Sequence, residues 1–223
     1  IYDNIKKFIH YLLSCNAGEI LVMLMSSLAG LPVPLLPIHI LWVNLVTDGL
    51  PAIALGVEPI SKDVMSKKPR KTGEGILTKL MAIRLVAMAA TITAGTLGLF
   101  VWALYSKGWS WGKELPSESP VYIYAITMAF TALMMFEMLN AIASKSEEKN
   151  FFSGIFSNKW LLLAIASSFA LHMAVIYTPL STYFSTTALS IADMGIIAAA
   201  SLSVIAVDTA FKFFSNRASA SQA

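Results

Sequence analysis

The stretch LWVNLVTDGLPAIALGVEP, Leu41 to Pro59, carries the features that decide the fold. It is apolar at most positions and about the length of a bilayer-spanning helix, which needs roughly 20 mostly apolar residues. Within it stand Asn44, Thr47 and Asp48. At i, i+3 and i+4 these three share one helix face. Ionisable groups inside a bilayer are expensive and mark function. Gly49 and Pro51 follow at once. A proline removes a backbone donor and disturbs the carbonyl four residues earlier, here that of Thr47. A ladder interrupted at membrane depth is tolerated where the freed backbone lines a site, so this helix is expected to be unwound near Val46 to Leu50.

The rest of the chain has the same character. Of 223 residues 57% are hydrophobic and 13% charged, where a soluble domain carries about 25% charged residues. The fold expected is an all-α membrane protein, a six-helix transmembrane bundle. Its spans run from about Phe8 to Ala29, Ile38 to Val57, Thr78 to Tyr105, Val121 to Ala143, Trp160 to Tyr177 and Ile191 to Phe214. They form one membrane domain over residues 1–217, followed by a short tail, 218–223, that reads as disordered. A net charge of +3 is too small to suggest nucleic acid. The single cysteine, Cys15, excludes an internal disulfide. The opening Ile1 to His10 is charged and has no apolar signal core. With no initiating Met, the chain is expected to be part of a longer protein.

Lys and Arg set the orientation. Of the 16 basic residues only Lys107 and Lys113 fall on one side of the six spans, diluted by Glu114 and Glu118. The others include Lys6, Lys7, the cluster Lys62, Lys67, Lys68, Arg70 and Lys71, and Lys145, Lys149, Lys159, Lys212 and Arg217. Both termini are therefore expected to be cytoplasmic. Trp109, Trp111, Tyr122 and Tyr124 form an aromatic belt at the far interface.

Other spans also hold groups foreign to a membrane. The first has Asn16 and Glu19, three apart and on one face; the fourth has Glu137, with Asn140 about one turn on. These are carboxylates, amides and a hydroxyl, with no cluster of His or Cys. All-oxygen ligation suits a hard cation: calcium, magnesium or an alkali ion. Asn16, Glu19, Thr47, Asp48 and Glu137 offer five side chains with three carboxylates, which fits a divalent ion. A lone Asn or Thr in a membrane also serves as interhelical glue. Asp208, with Lys212 one turn away, reads as a partner in an ion pair or hydrogen bond near the interface. His10, His39 and His172 read as core or interfacial residues, Cys15 as a small buried residue, and Met128 to Met138 as packing or lipid-facing surface.

Leu41 to Pro59 closely resembles the sixth transmembrane helix of P-type calcium-transporting ATPases. The opening IYDNIKKFIHYLLSCNAGE resembles their fifth helix, and FEMLNA, Phe136 to Ala141, their eighth. The order and spacing of all six spans fit helices five to ten. By this resemblance Asn16, Glu19, Asn44, Thr47, Asp48 and Glu137 are the metal ligands. One calcium site would use Asn16, Glu19, Thr47, Asp48 and Glu137. A second would use Asn44 and Asp48 with a glutamate and backbone carbonyls of a fourth helix outside this chain. Plasma-membrane-type pumps lack the acids matching Glu19 and Glu137, and sodium-potassium pumps have Asp where Asn44 stands, so the likeness is to the sarco/endoplasmic reticulum type.

The resemblance implies the ion-translocation domain of an ATP-driven calcium pump with proton counter-transport. Its partners would be the lipid bilayer and the remaining helices and cytoplasmic domains of the same pump. ATP and magnesium would act only through those domains, because no DKTGT phosphorylation motif occurs in these residues. The loop Glu58 to Leu77 resembles the one that couples the membrane helices to the phosphorylation domain. The residues alone leave two other readings open: a stand-alone passive cation channel or antiporter, and a membrane scaffold whose acids are interhelical glue.

Overall fold

The computed structural model describes residues 2–59, 77–145, 151 and 155–220. Within these every regular element is helical. Six helical segments are long and apolar enough to cross a membrane: Tyr2–Leu28, Pro37–Gly56, Lys79–Ser106, Pro120–Ser144, Lys159–Tyr177 and Ile191–Ser215. The chain is an integral, multi-pass membrane protein; five spans lie within one or two residues of their expected places, and the first begins six residues earlier than expected, at Tyr2. The first, third, fourth and fifth are α1 (Tyr2–Leu28), α4 (Lys79–Ser106), α5 (Pro120–Ser144) and α6 (Lys159–Tyr177). The second is built from α2 (Pro37–Trp42), a π-helical turn (Val43–Thr47) and α3 (Gly49–Gly56). The last is α8 (Ile191–Ser201) followed by α9 (Ser203–Ala220), and a short α7 (Ser181–Phe184) precedes it. The loop cluster at Lys62 to Lys71 and Lys149 lie outside the described residues. Of the expected tail, 218–220 close α9 and 221–223 lie outside.

Local chemistry sets the helix ends. Gly30 leaves α1 with φ of +64°, a conformation that glycine adopts without steric penalty. Leu31 N–H then reaches back to the Ser26 carbonyl at 3.0 Å, which closes the last turn. The side chains of Thr78, Ser119 and Asn158 accept backbone N–H bonds at the starts of α4, α5 and α6. Pro37 and Pro120 stand where the missing N–H would be unpaired in any case.

α5 is the hub. Every residue from Ala125 to Met134 is buried, so this helix is enclosed by protein on all sides. The methionines Met128, Met134 and Met138 are packing surface within it. The other spans turn large apolar side chains outward, among them Ile20, Leu28, Leu163 and Ile191, as lipid-facing helices do. Two glycines let backbones approach. A Cβ on Gly18 would lie 2.9 Å from Ile92 Cγ2, and one on Gly95 would lie 2.0 Å from Phe136 Cζ. The Phe136 ring therefore rests directly on the α4 backbone and fixes the rotation of α5 at the next residue, Glu137. Gly95→Ala must push that fully buried ring aside. A loss of about 1–3 kcal/mol is expected from such overpacking, read as a lower midpoint of thermal unfolding in detergent.

Hydrogen bonds sort the bundle into two ends. At one, Asn4 donates to the Glu58 carbonyl at 2.8 Å and Asn158 to the Ala54 carbonyl at 3.0 Å. Asn158 also donates to the Glu58 carboxylate, which Lys145 approaches at 3.8 Å. Burial lowers the Lys145 pKa, and Glu58 opposes the shift. Also at this end Asp208 is ion-paired to Arg84 at 2.7 Å and to Lys212 at 2.6 Å, the role its neighbourhood suggested. At the other end Tyr122 Oη donates to the Val33 carbonyl at 2.9 Å, Tyr124 Oη to Asp193 at 2.7 Å and Tyr177 Oη to the Leu189 carbonyl at 2.8 Å. Tyr122 and Tyr177 thus tie loops to helices, and Tyr124 ties α5 to the start of α8.

Candidate cation site between the first, second and fourth spans

On α1, Tyr11, Cys15 and Glu19 recur at i, i+4 and i+8, so they line one face. All three are buried. This face meets the middle of the second span, where the helix changes pitch. Asp48 N–H bonds to the Val43 carbonyl at 2.8 Å, five residues back, which is the π pattern. Such single-turn π segments favour functional sites. The expected unwinding at Val46 to Leu50 is corrected here: the ladder widens at Val43–Thr47, and helix resumes at Gly49. Pro51 has no N–H to give Thr47, and the chain accommodates this by spacing its bonds differently rather than by losing them. Thr47 Oγ1 donates to the same Val43 carbonyl at 3.0 Å, and Ser168 Oγ from α6 donates to the Val46 carbonyl at 3.2 Å.

The π turn aims Asp48 into the bundle, where it is fully buried. Tyr11 Oη donates to Asp48 Oδ1 at 2.7 Å, and Asn44 Nδ2 donates to Glu19 Oε2 at 2.6 Å. Glu137, fully buried, enters from α5. Among the described residues, the second oxygens of Glu19 and Asp48, both oxygens of Glu137 and the Asn140 carbonyl oxygen are buried without a hydrogen-bond partner. One ligating atom each from Cys15, Asp48 and Glu137 lies within 4.8 Å of the other two. That is about twice a calcium–oxygen bond of 2.3–2.6 Å, so a single ion can touch all three.

A buried carboxylate without a partner is strongly unfavourable. Here three share one region, and the bonded oxygens of Asp48 and Glu19 take neutral donors. Such a group is stabilised by a cation or by protons. Calcium accepts irregular geometry and 6–8 oxygens, whereas magnesium requires a near-ideal octahedron of short bonds. Donors drawn from three separate helices suit the more tolerant ion.

Of the six residues expected as ligands, Glu19, Thr47, Asp48 and Glu137 lie buried where these spans meet. Asn44 joins them through Glu19 while its own side is exposed. Asn16 is half-buried beside Cys15, and among the described residues no hydrogen bond ties it to another member. Sequence reasoning missed Tyr11 and treated Cys15 as mere packing. The spacing of four from Tyr11 to Cys15 and again from Cys15 to Glu19 was the available signal. Asn140 donates to Ser14 Oγ at 2.8 Å and to Cys15 Sγ at 3.5 Å, which anchors α5 to α1. The three histidines are buried. His39 and His172 pack against the Phe130 ring at 4.4 and 4.5 Å, and His10 meets Ser144 Oγ at 3.2 Å.

Residues 32–214 match the family described as cation transporting ATPase, C-terminus. The chain is 41% identical over 194 residues to a calcium-transporting ATPase of Bacillus subtilis, covering 86% of this chain and 21% of that protein. It is 39% identical to a probable calcium-transporting ATPase of Trypanosoma brucei brucei, over 80% of this chain and 19% of that protein. It is 35% identical over 233 residues to the endoplasmic reticulum-type calcium-transporting ATPase 3 of Arabidopsis thaliana, over 96% of this chain and 23% of that protein. The chain thus spans about a fifth of the length of these curated relatives.

Proposed function

The chain belongs to the cation-transporting ATPase C-terminal family, and from that premise we propose that it is the ion-translocation domain of an ATP-driven calcium pump. One observation carries the reading. The partnerless oxygens of Glu19, Asp48 and Glu137 are buried at the junction of three spans, with Asp48 and Glu137 close enough for one ion to bridge. The names of the relatives supply the cation, and the all-oxygen acids fit it.

Calcium enters from the cytoplasmic end, the end richer in Lys and Arg, and binds to Glu19, Thr47, Asp48 and Glu137, with Asn16 completing the shell. Asn44, exposed on the π turn while bonded to Glu19, serves a second ion together with Asp48 and ligands outside this chain. ATP and magnesium act on other parts of the pump, where phosphorylation drives the rearrangement. The widened turn at Val43–Thr47 is the part of the second span best placed to yield, because its bonding already departs from the α pattern. When the site turns to the far side and releases calcium, the three carboxylates are left facing one another, and protons relieve their repulsion. Those protons travel back in exchange.

This exchange is open to measurement. Calcium added to the chain in lightly buffered detergent at neutral pH is expected to release at least one proton per ion bound, read with a pH indicator alongside the binding isotherm. Calcium binding without any proton release would overturn the counter-transport.

A further inference from the structure

An all-oxygen calcium site has no use for sulfur, yet Cys15 stands inside this one. Its sulfur lies within 4.8 Å of ligating oxygens of Asp48 and Glu137, and all three residues are fully buried. Alone, a buried cysteine is a small apolar side chain. Two further observations make it a donor. Asp48 Oδ2 and both Glu137 oxygens have no hydrogen-bond partner. Asn140 Nδ2 donates toward Cys15 Sγ at 3.5 Å, the direction of bond that stabilises negative charge on sulfur.

We infer that Cys15 makes the cluster a mixed sulfur–carboxylate site that takes thiophilic divalent cations of the cadmium and zinc class, in competition with calcium. This rests on the reading of the cluster as a cation site and adds the second class of ion it accepts. Soft thiolate selects such ions, while carboxylate alone favours calcium or magnesium. Zinc–sulfur bonds of about 2.3 Å and zinc–oxygen bonds of 2.0–2.2 Å span up to about 4.5 Å between donors, so donors within 4.8 Å of one another need to close by at most a few tenths of an ångström around the ion. Two carboxylates and one thiolate carry one negative charge more than the ion neutralises, so a proton retained on one carboxyl leaves the occupied site neutral. The thiol proton leaves to water as the metal–sulfur bond forms. Glu19 and Tyr11 keep their bonds to Asn44 and Asp48 throughout.

Cadmium is the probe, because its bond to sulfur gives an ultraviolet charge-transfer band, and Cys15 is the only cysteine. Micromolar cadmium added to the chain in detergent is expected to produce the band, and millimolar calcium to raise the cadmium concentration needed at least tenfold. Cys15→Ser should remove the band while keeping the helical circular dichroism of the parent. Glu137→Gln should weaken cadmium binding at least tenfold. No band in the parent chain would overturn the inference, as would a band indifferent to both calcium and Glu137→Gln, which would mark a simple thiol adduct. The same samples titrated with calcium separate the two proposals. Calcium binding with no cadmium band removes only the sulfur site, and a cadmium band with no calcium binding removes the calcium pump reading.

Discussion

Replacing Asp48 with Asn is expected to weaken calcium binding at least a hundredfold, about 2.7 kcal/mol, while leaving the helical fold intact. The geometry explains both halves. Tyr11 donates to Asp48 Oδ1, and Oδ2 is the oxygen left without a partner. Asparagine keeps a carbonyl oxygen for Tyr11 and places its amide where Oδ2 was. The exchange removes a full charge and turns donor hydrogens toward Glu137 and toward the proposed cation. The fold is spared because a buried carboxylate with no countercharge is unfavourable in the folded state, and the amide removes that cost. The ion-free variant should therefore unfold at the parent's temperature or above it. What it should lose is the calcium-dependent rise in that temperature, since only binding to the native state stabilises by mass action. Micromolar calcium binding retained in this variant would contradict the assignment.

Asp208→Ala is expected to act the other way, on stability first. Asp208 is fully buried and answers two cations, Arg84 and Lys212, whose side chains are also buried. Both cations also donate to the Ala143 carbonyl, at 2.7 and 3.3 Å, so the cluster joins α4, α5 and α9. Removing this carboxylate takes from both buried cations an anion that they share, a loss of about 3–5 kcal/mol for breaking a buried pair. Thermal unfolding in detergent should show it as a large drop in midpoint. Replacing all three residues together with apolar side chains should recover most of the loss, because a well-packed apolar substitute is often neutral or stabilising. If Asp208→Ala leaves the midpoint unchanged, the cluster does not hold these helices together.

The contrast between these two acids shows how far the sequence could be read. Apolar run length located all six spans, because a bilayer fixes helix length more tightly than a soluble core does. Glu19, Asp48 and Glu137 stood out because an acid in such a run needs a reason, and the structure places each at the junction of the same three spans. Asp208 was separable because Lys212 sits one turn away. Tyr11 was not visible: an aromatic residue in an apolar helix looks like packing, and only the fold shows its hydroxyl against Asp48. Nor was the role of Asn140 and Ser168, which act across helices on Cys15 and on the Val46 carbonyl. Pro51 announced a disturbance in the second span but not its form. Whether the ladder breaks or widens depends on what receives the loosened carbonyls, and Thr47 and Ser168 supply that here. The break at Leu202 between α8 and α9 also lay hidden, because no proline marks it in the run from Ile191 to Phe214.

Calorimetric titration of the purified chain in detergent with calcium, and separately with magnesium, asks whether acids from three spans bind calcium. Saturable calcium binding is expected, with no comparable heat from magnesium and loss of the calcium signal in Glu137→Gln. Absence of calcium binding, equal binding of magnesium, or calcium binding unchanged in Glu137→Gln would refute the calcium site.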